Sequence, residues 1–211
     1  VLSQQKAADA QSLGRLEQEI VPIQMNGLTI DTDGCLRPGT SAQDLAGLKL
    51  AFDENGTVTA ATSSPLTDGA AATLVCSEAY AQENGLESIA RIKSIAVSGC
   101  KPETMGLGPI FASRKALARA ELSADAIDVV EINEAFATQS IASVRDLNLD
   151  IDKVNIDGGA IAIGHPLGAT GARITGKAAQ ILKREGGRYA LSTQCIGGGQ
   201  GIATVMATVG V

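Results

Sequence analysis

The one histidine of this 211-residue chain, His165, lies inside a glycine-dense run, Gly158-Gly159-Ala160-Ile161-Ala162-Ile163-Gly164-His165-Pro166-Leu167-Gly168-Ala169-Thr170-Gly171. Imidazole is the side chain best matched to proton transfer near neutral pH, and glycine lets backbone come close to a ligand or adopt positive φ. Further along, Cys195-Ile196-Gly197-Gly198-Gly199-Gln200-Gly201 repeats the arrangement with a thiol. A third segment, Glu131-Ile132-Asn133-Glu134-Ala135-Phe136-Ala137, follows an apolar run and brings an amide to a strand-to-helix junction. Each has a plainer reading: a satisfied structural histidine, an inert buried thiol, and a helix N-cap. Their combination points to a reaction centre.

Asn133-Glu134-Ala135-Phe136-Ala137, Gly164-His165-Pro166 and Cys195-Ile196-Gly197-Gly198-Gly199 resemble, in order and spacing, three motifs of the thiolase family. Gly56-Thr57-Val58-Thr59-Ala60, Ser63-Ser64 and Asp68-Gly69-Ala70-Ala71-Ala72 extend the resemblance over essentially the whole chain. The resemblance implies an acyltransferase that cleaves 3-ketoacyl-CoA with free coenzyme A, or runs the reverse Claisen condensation. Such chemistry needs a nucleophile, a base for the carbon beside the thioester, and donors for two oxyanions.

By the same resemblance, His165 activates the nucleophile and donates to a thioester oxygen. Cys195, its pKa tuned by a dipole-rich pocket, moves the α-carbon proton. Asn133 holds a water of one oxyanion hole, and the Gly197 N–H belongs to the other. For coenzyme A the resemblance offers Ser64, with Phe136 and Met105 lining the pantetheine tunnel. Lys49 stands where many relatives carry Arg, keeping the charge but losing the planar fork.

One departure concerns the nucleophile. In this family it belongs to a Cys-Ser/Gly-Ser-Gly type segment of the N-terminal half. The four cysteines here sit in Gly34-Cys35-Leu36, Val75-Cys76-Ser77, Gly99-Cys100-Lys101 and Gln194-Cys195-Ile196, none of which matches. The chain therefore reads as the C-terminal portion of a thiolase, inactive alone and partnered by the other half. Thr62 to Asp68 and Val97 to Cys100 look more like degradative members, of fatty acid β-oxidation, than like the biosynthetic acetoacetyl-CoA type. A third reading is a non-catalytic, thiolase-like acyl-CoA-binding protein.

Composition sets the outer bounds. With 45% hydrophobic and 19% charged residues the chain can bury one good core, and with 2% aromatic residues that core is built from Ala, Val, Ile and Leu. A formal charge of −6 argues against nucleic acid, which needs clustered cations. No apolar stretch is long enough for a bilayer and no signal-like start is present. Four cysteines without paired metal spacing fit a reducing cytoplasm, with no metal or resident cofactor expected; coenzyme A and acyl-CoA enter as substrates. The family resemblance adds a homodimer or homotetramer and a possible β-oxidation partner subunit.

The elements that must position these residues follow from periodicity and punctuation. Residues 1–60 read as the remainder of an irregular loop subdomain: a helix from Ser3 ending near Gly14, a strand over Glu19–Ile23, a turn at Asn26-Gly27, turn-like chain over 31–40, and a short helix capped by Ser41. Residues 61–211 read as an α/β core. Apolar runs at 70–75, 92–97, 127–132, 154–156, 189–193 and 202–208 alternate with helical segments at 77–84, 109–120, 134–147 and 167–184. The last two strands, joined by a glycine turn, should pair antiparallel. The resemblance implies the same layered architecture, a mixed five-stranded sheet covered by helices.

Overall fold

The computed structural model describes residues 1–210. In chain order they form α1 (Leu2–Ser12), β1 (Ile23–Met25), β2 (Leu28–Ile30), α2 (Ala42–Leu45), α3 (Glu78–Glu83), β3 (Arg91–Gly99), α4 (Gly108–Ala120), β4 (Val129–Ile132), α5 (Ala137–Asp146), α6 (Ala160–Ile163), α7 (Thr170–Glu185), β5 (Tyr189–Ile196) and β6 (Gln200–Ala207). Single 3₁₀ turns interrupt the loops, one of them at Pro102–Leu107.

The main sheet has the order β3-β6-β5-β4. β4 runs parallel to β5, whereas β5–β6 and β6–β3 are antiparallel, so the sheet is mixed as expected. Strand alternation gives β4 two different faces. Val130 and Ile132 join Ala112, Ala116, Leu117, Leu191 and Val205 in the cluster under α4. Val129 joins Ala178, Ile181, Leu182 and Ala190 in the cluster under α7. Glu131 and Asn133 therefore fall on the α7 side.

A fifth lane exists only in outline. Val154 makes one parallel bridge to Val130, and the Asn155 N–H donates to the Val130 carbonyl. Asn155 then turns to φ 46°, which ends the strand expected at 154–156. Its side chain takes over the pairing: Oδ1 accepts from the Ile132 N–H at 2.8 Å and Nδ2 donates to the Ile132 carbonyl at 2.9 Å.

The strand expected at 70–75 does not form. Residues 70–75 are exposed coil with no ladder partner, held by the Thr73 hydroxyl donating to the Ala172 carbonyl. An apolar run is a strand only when another strand completes its hydrogen bonds. The strand expected at 19–23 forms instead at Ile23–Met25. Pro22 has no N–H to pair, and Glu19 is engaged by Lys177 at 2.5 Å.

Local signals elsewhere work as expected. Ser41 and Ser77 accept from Asp44 and Tyr80 N–H groups as N-caps. Asn26 and Gly27 adopt φ 52° and 79° and close the β1–β2 hairpin. That hairpin places Ile23, Ile30, Met25 and Leu28 on one exposed face.

Below α7 lies a buried charge cluster. Asp157, fully buried, receives two bonds from Arg184 (2.6 and 2.9 Å) and one from Lys177 at 2.8 Å, with Arg15 at 3.5 Å. Burial alone would push its carboxyl up, but these bonds hold it below the ordinary carboxylate range. Arg15 and Glu19 thus fasten the N-terminal segment to the core.

Candidate active site

Asn133 leaves the end of β4 with its N–H donating to the Thr193 carbonyl at 3.0 Å, which extends the β4–β5 pairing by one residue. Its side chain is almost fully buried, at 1% exposure, and neither amide atom has a hydrogen-bond partner. The helix-cap reading fails here, because α5 is capped at Phe136, whose N–H donates to Gln139 Oε1 at 3.4 Å. α5 starts three residues later than expected since Glu134 is used elsewhere. Its carboxylate accepts from Ser3 Oγ (2.6 Å), Asn155 Nδ2 (2.9 Å) and the Ile161 N–H at the start of α6 (3.1 Å). It thereby anchors the chain that leads into His165.

His165 sits half-buried between α6 and α7. Gly164 turns the chain at φ 91°, and a Cβ there would stand 2.5 Å from Thr67 Oγ1. Thr67 Oγ1 accepts the His165 N–H at 3.1 Å. The ring Nδ1 lies 2.6 Å from Thr170 Oγ1. Burial, and then the nearby Arg173 cation, lower the imidazole pKa below its ordinary value, so the ring is neutral at pH 7.

The α7 start is packed beside β5: a Cβ on Gly171 would touch Gln194 Nε2 at 3.4 Å. Cys195 is next along β5 and, by strand alternation, turns to the other side, toward Cys100. Gly199, at φ 91°, allows this approach. A side chain there would meet the Cys100 carbonyl at 2.4 Å, and the Cys100 N–H donates to the Gly199 carbonyl at 2.8 Å. Burial pushes the Cys195 thiol up, its own N–H pulls it down, and Cys100 adds to the rise. The pocket expected to bring this thiol into working range does the opposite within this chain, because desolvation exceeds the one backbone dipole. Cys195 is held as S–H, a form that gives a proton.

Asn133, His165 and Cys195 are therefore carried to the same end of the β4–β5 pair, with Gly197 exposed in the turn after Cys195. His165 and Cys195 share no hydrogen bond among the described residues; the imidazole's partner is Thr170. Ser64 and Phe136 lie on segments that pair, the Ser64 N–H donating to the Ala135 carbonyl at 3.0 Å and Ser63 bridging Phe136. Phe136 also packs edge-on against the exposed Phe52 at 6.1 Å. Met105 lies in the 3₁₀ turn beside Cys100. Lys49 is exposed, next to the Leu50–Thr59 bridge, and no contact ties it to the others.

Sequence reasoning passed over Thr67, Thr170, Arg173, Gln194 and Glu131. Arg173 Nε, Gln194 Oε1 and Glu131 Oε1 are buried and unpartnered like the Asn133 amide. Burial, opposed by Arg173 and Lys177, raises Glu131 to about 8. The available signal was polar residues set into apolar strands and beside the histidine. A cleft of ≈ 150 Å³ lined by Gly171, Thr175, Ser192 and Gln194 adjoins this cluster. A larger one, ≈ 410 Å³, near Asp125, Asn148 and Lys153 holds none of the expected site residues.

Residues 86–208 match the thiolase C-terminal domain, and residues 1–79 match the thiolase N-terminal domain. The chain belongs to the thiolase family. A 3-ketoacyl-CoA thiolase of Alcanivorax borkumensis is 50% identical over 218 residues, covering 99% of this chain and 56% of the relative. An acetyl-CoA acetyltransferase of Shinella zoogloeoides is 50% identical over 207 residues, covering 96% and 53%. Among solved structures, human mitochondrial 3-ketoacyl-CoA thiolase in complex with CoA superposes with a TM-score of 0.92 at 40% identity, over 99% of this chain and 53% of that one. The thiolase chain described here spans about half the length of the curated relatives it matches. Among its described residues no helix is long and apolar enough to cross a membrane.

Proposed function

We propose that this chain supplies the imidazole, thiol and amide side of an acyl-transfer site that thiolyses 3-ketoacyl-CoA, as in fatty acid β-oxidation. One observation carries the reading. A buried asparagine with both amide atoms unpartnered stands at the end of the β4–β5 pair, the end to which α7 and β5 also carry His165 and Cys195. Leaving such atoms unpaired costs about 1–3 kcal/mol, a cost that makes sense when a water or substrate oxygen completes them. Asn133 then holds a water donor, the Gly197 N–H serves the second oxyanion, and Cys195 returns a proton to the α-carbon.

His165 is the base for a nucleophilic thiol. At the ordinary thiol pKa only a few per cent is thiolate at pH 7, so a neutral imidazole within reach raises reactivity. None of the four cysteines lies in a nucleophile-type segment, so that thiol comes from the other half of the enzyme. Coenzyme A and acyl-CoA are the substrates, with Ser64, Phe136, Met105 and Lys49 offered as contacts, and no resident cofactor is invoked.

A homodimer or homotetramer in the cytoplasm is the assembly we favour. The exposed apolar residues Ile92, Ile95 and Val97 of β3 support a further packed surface. The degradative reading rests on the relatives named 3-ketoacyl-CoA thiolase. Those named acetyl-CoA acetyltransferase share the same chemistry on a shorter acyl group.

Thiolysis across acyl chain lengths tests this, using this chain joined to a nucleophile-bearing half. The expected result is turnover of 3-ketoacyl-CoA longer than acetoacetyl-CoA, and none by the 211-residue chain alone. Turnover by the chain alone refutes the assignment of the nucleophile.

A further inference from the structure

The His165 backbone is fixed on both sides. Pro166 confines the residue before it to extended conformations, and Thr67 accepts its N–H. What remains free is the orientation of the ring and the nitrogen that carries its proton. Thr170, the first residue of α7 and fully buried, addresses both: Oγ1 lies 2.6 Å from His165 Nδ1 and 2.9 Å from the Pro166 carbonyl oxygen.

A hydroxyl has one proton. Were it given to Nδ1, two oxygens would face each other at 2.9 Å with no hydrogen between them. Given to the Pro166 carbonyl, it leaves an Oγ1 lone pair aimed at Nδ1, which is satisfied only if Nδ1 carries hydrogen. No solvent reaches the buried hydroxyl to offer a third arrangement.

We propose that Thr170 is a positioning residue that holds His165 as the Nδ1–H tautomer, leaving the Nε2 lone pair to take up the proton in acyl transfer. The inference rests on the reading of His165 as the base of that reaction. The proton balance is closed: the nucleophile's S–H bond breaks, an Nε2–H bond forms and the electron pair stays on sulfur. As the thiolate adds to the 3-keto carbon, a C–S bond forms and the C–C bond breaks, the α-carbon taking its proton from Cys195. When coenzyme A, its S–H proton passing to Cys195, takes the acyl group, that C–S bond breaks and the departing thiolate takes the Nε2 proton back. The Nδ1–H bond to Thr170 persists throughout. A neutral hydroxyl, unlike a carboxylate partner, adds no charge that would favour the imidazolium, in keeping with the lowered imidazole pKa.

Because the chain has one histidine, magnetic resonance of the isotope-labelled ring in the 211-residue chain reads the tautomer without any activity assay. The expected spectrum above the imidazole pKa shows a protonated Nδ1 and a bare Nε2. Thr170→Val, which keeps the shape and removes the hydroxyl, should shift the proton to Nε2 or average the two nitrogens. Thr170→Ser should restore the first pattern. A protonated Nε2 in the wild type, or a Thr170→Val spectrum unchanged from it, overturns the proposal; the wild-type spectrum decides even if the valine variant fails to fold. A wild-type Nδ1–H ring in a joined, two-half protein that has no thiolysis activity would leave this inference standing and refute the acyl-transfer reading.

Discussion

The N–H of Asn133 donates to the Thr193 carbonyl at 3.0 Å while the Asn133 side chain, buried beside it, bonds to nothing. The backbone of this residue belongs to the sheet, and its amide is kept for something else. Asn133→Ala in a protein joining this chain to a nucleophile-bearing half should lower kcat by about a hundredfold, roughly 3 kcal/mol. Folding should not suffer, because two unsatisfied buried atoms are removed. Steady-state thiolysis and urea unfolding check the two halves of the prediction. Undiminished thiolysis in Asn133→Asp would return the amide to a purely structural role.

Cys195 is half-buried with its thiol pushed up, whereas Cys76 is exposed. Alkylation at pH 7 followed by peptide mass spectrometry should label Cys76 well before Cys195, with Cys195 gaining reactivity only above the ordinary thiol range. Equal labelling of the two at neutral pH would contradict the desolvated environment described for Cys195.

Glu131 is buried in β4 on the α7 side with its pKa raised from 4.5 to about 8. The folded state binds the proton more tightly than the unfolded one. Its contribution to stability is therefore fully present below about pH 4.5 and is lost as pH rises toward 8. Glu131→Gln should flatten stability over that window and make the variant the more stable of the two at pH 8. Thermal unfolding midpoints across pH 5–8.5 that fall in parallel for both proteins would show that Glu131 does not titrate there.

Asp157 behaves in the opposite sense. Its carboxyl is held low by Arg184 and Lys177 against the cost of burial. The stability it provides is present above the ordinary carboxylate range and lost as pH falls through its own lower value. Asp157→Asn should destabilise by about 3 kcal/mol at pH 7, since it takes the carboxylate from Arg184 and leaves the buried Lys177 with Glu19 alone, and by much less in acid. A loss of stability that does not change with pH would place the effect in packing alone.

The sequence was informative where a local signal and the tertiary structure agree. Ser41 and Ser77 cap helices, Asn26-Gly27 turns a hairpin, and the glycine run after Cys195 folds β5 back onto β6. It was silent where the partner is distant in the chain. Nothing local says that Asn155 will complete β4 with its side chain, or that Glu134 will reach Ser3 and Ile161 instead of starting a helix. The run at 70–75 misled because its apolar composition suits a strand equally well as a segment that lies against α7 without pairing. The three residues carrying the resemblance were legible as types. Their shared location at one end of the β4–β5 pair, and the hydroxyl that orients His165, required the fold.

The role of this thiolase chain is tested most directly by 3-ketoacyl-CoA thiolysis in a protein that joins it to a nucleophile-bearing half and carries Cys195→Ser. The serine variant should fold and bind acyl-CoA with affinity close to the parent, yet lose turnover by orders of magnitude, since an alcohol cannot stand in for the thiol as the proton carrier. Near-parental turnover would contradict the assignment of Cys195, and with it the reading of this strand end as an acyl-transfer site.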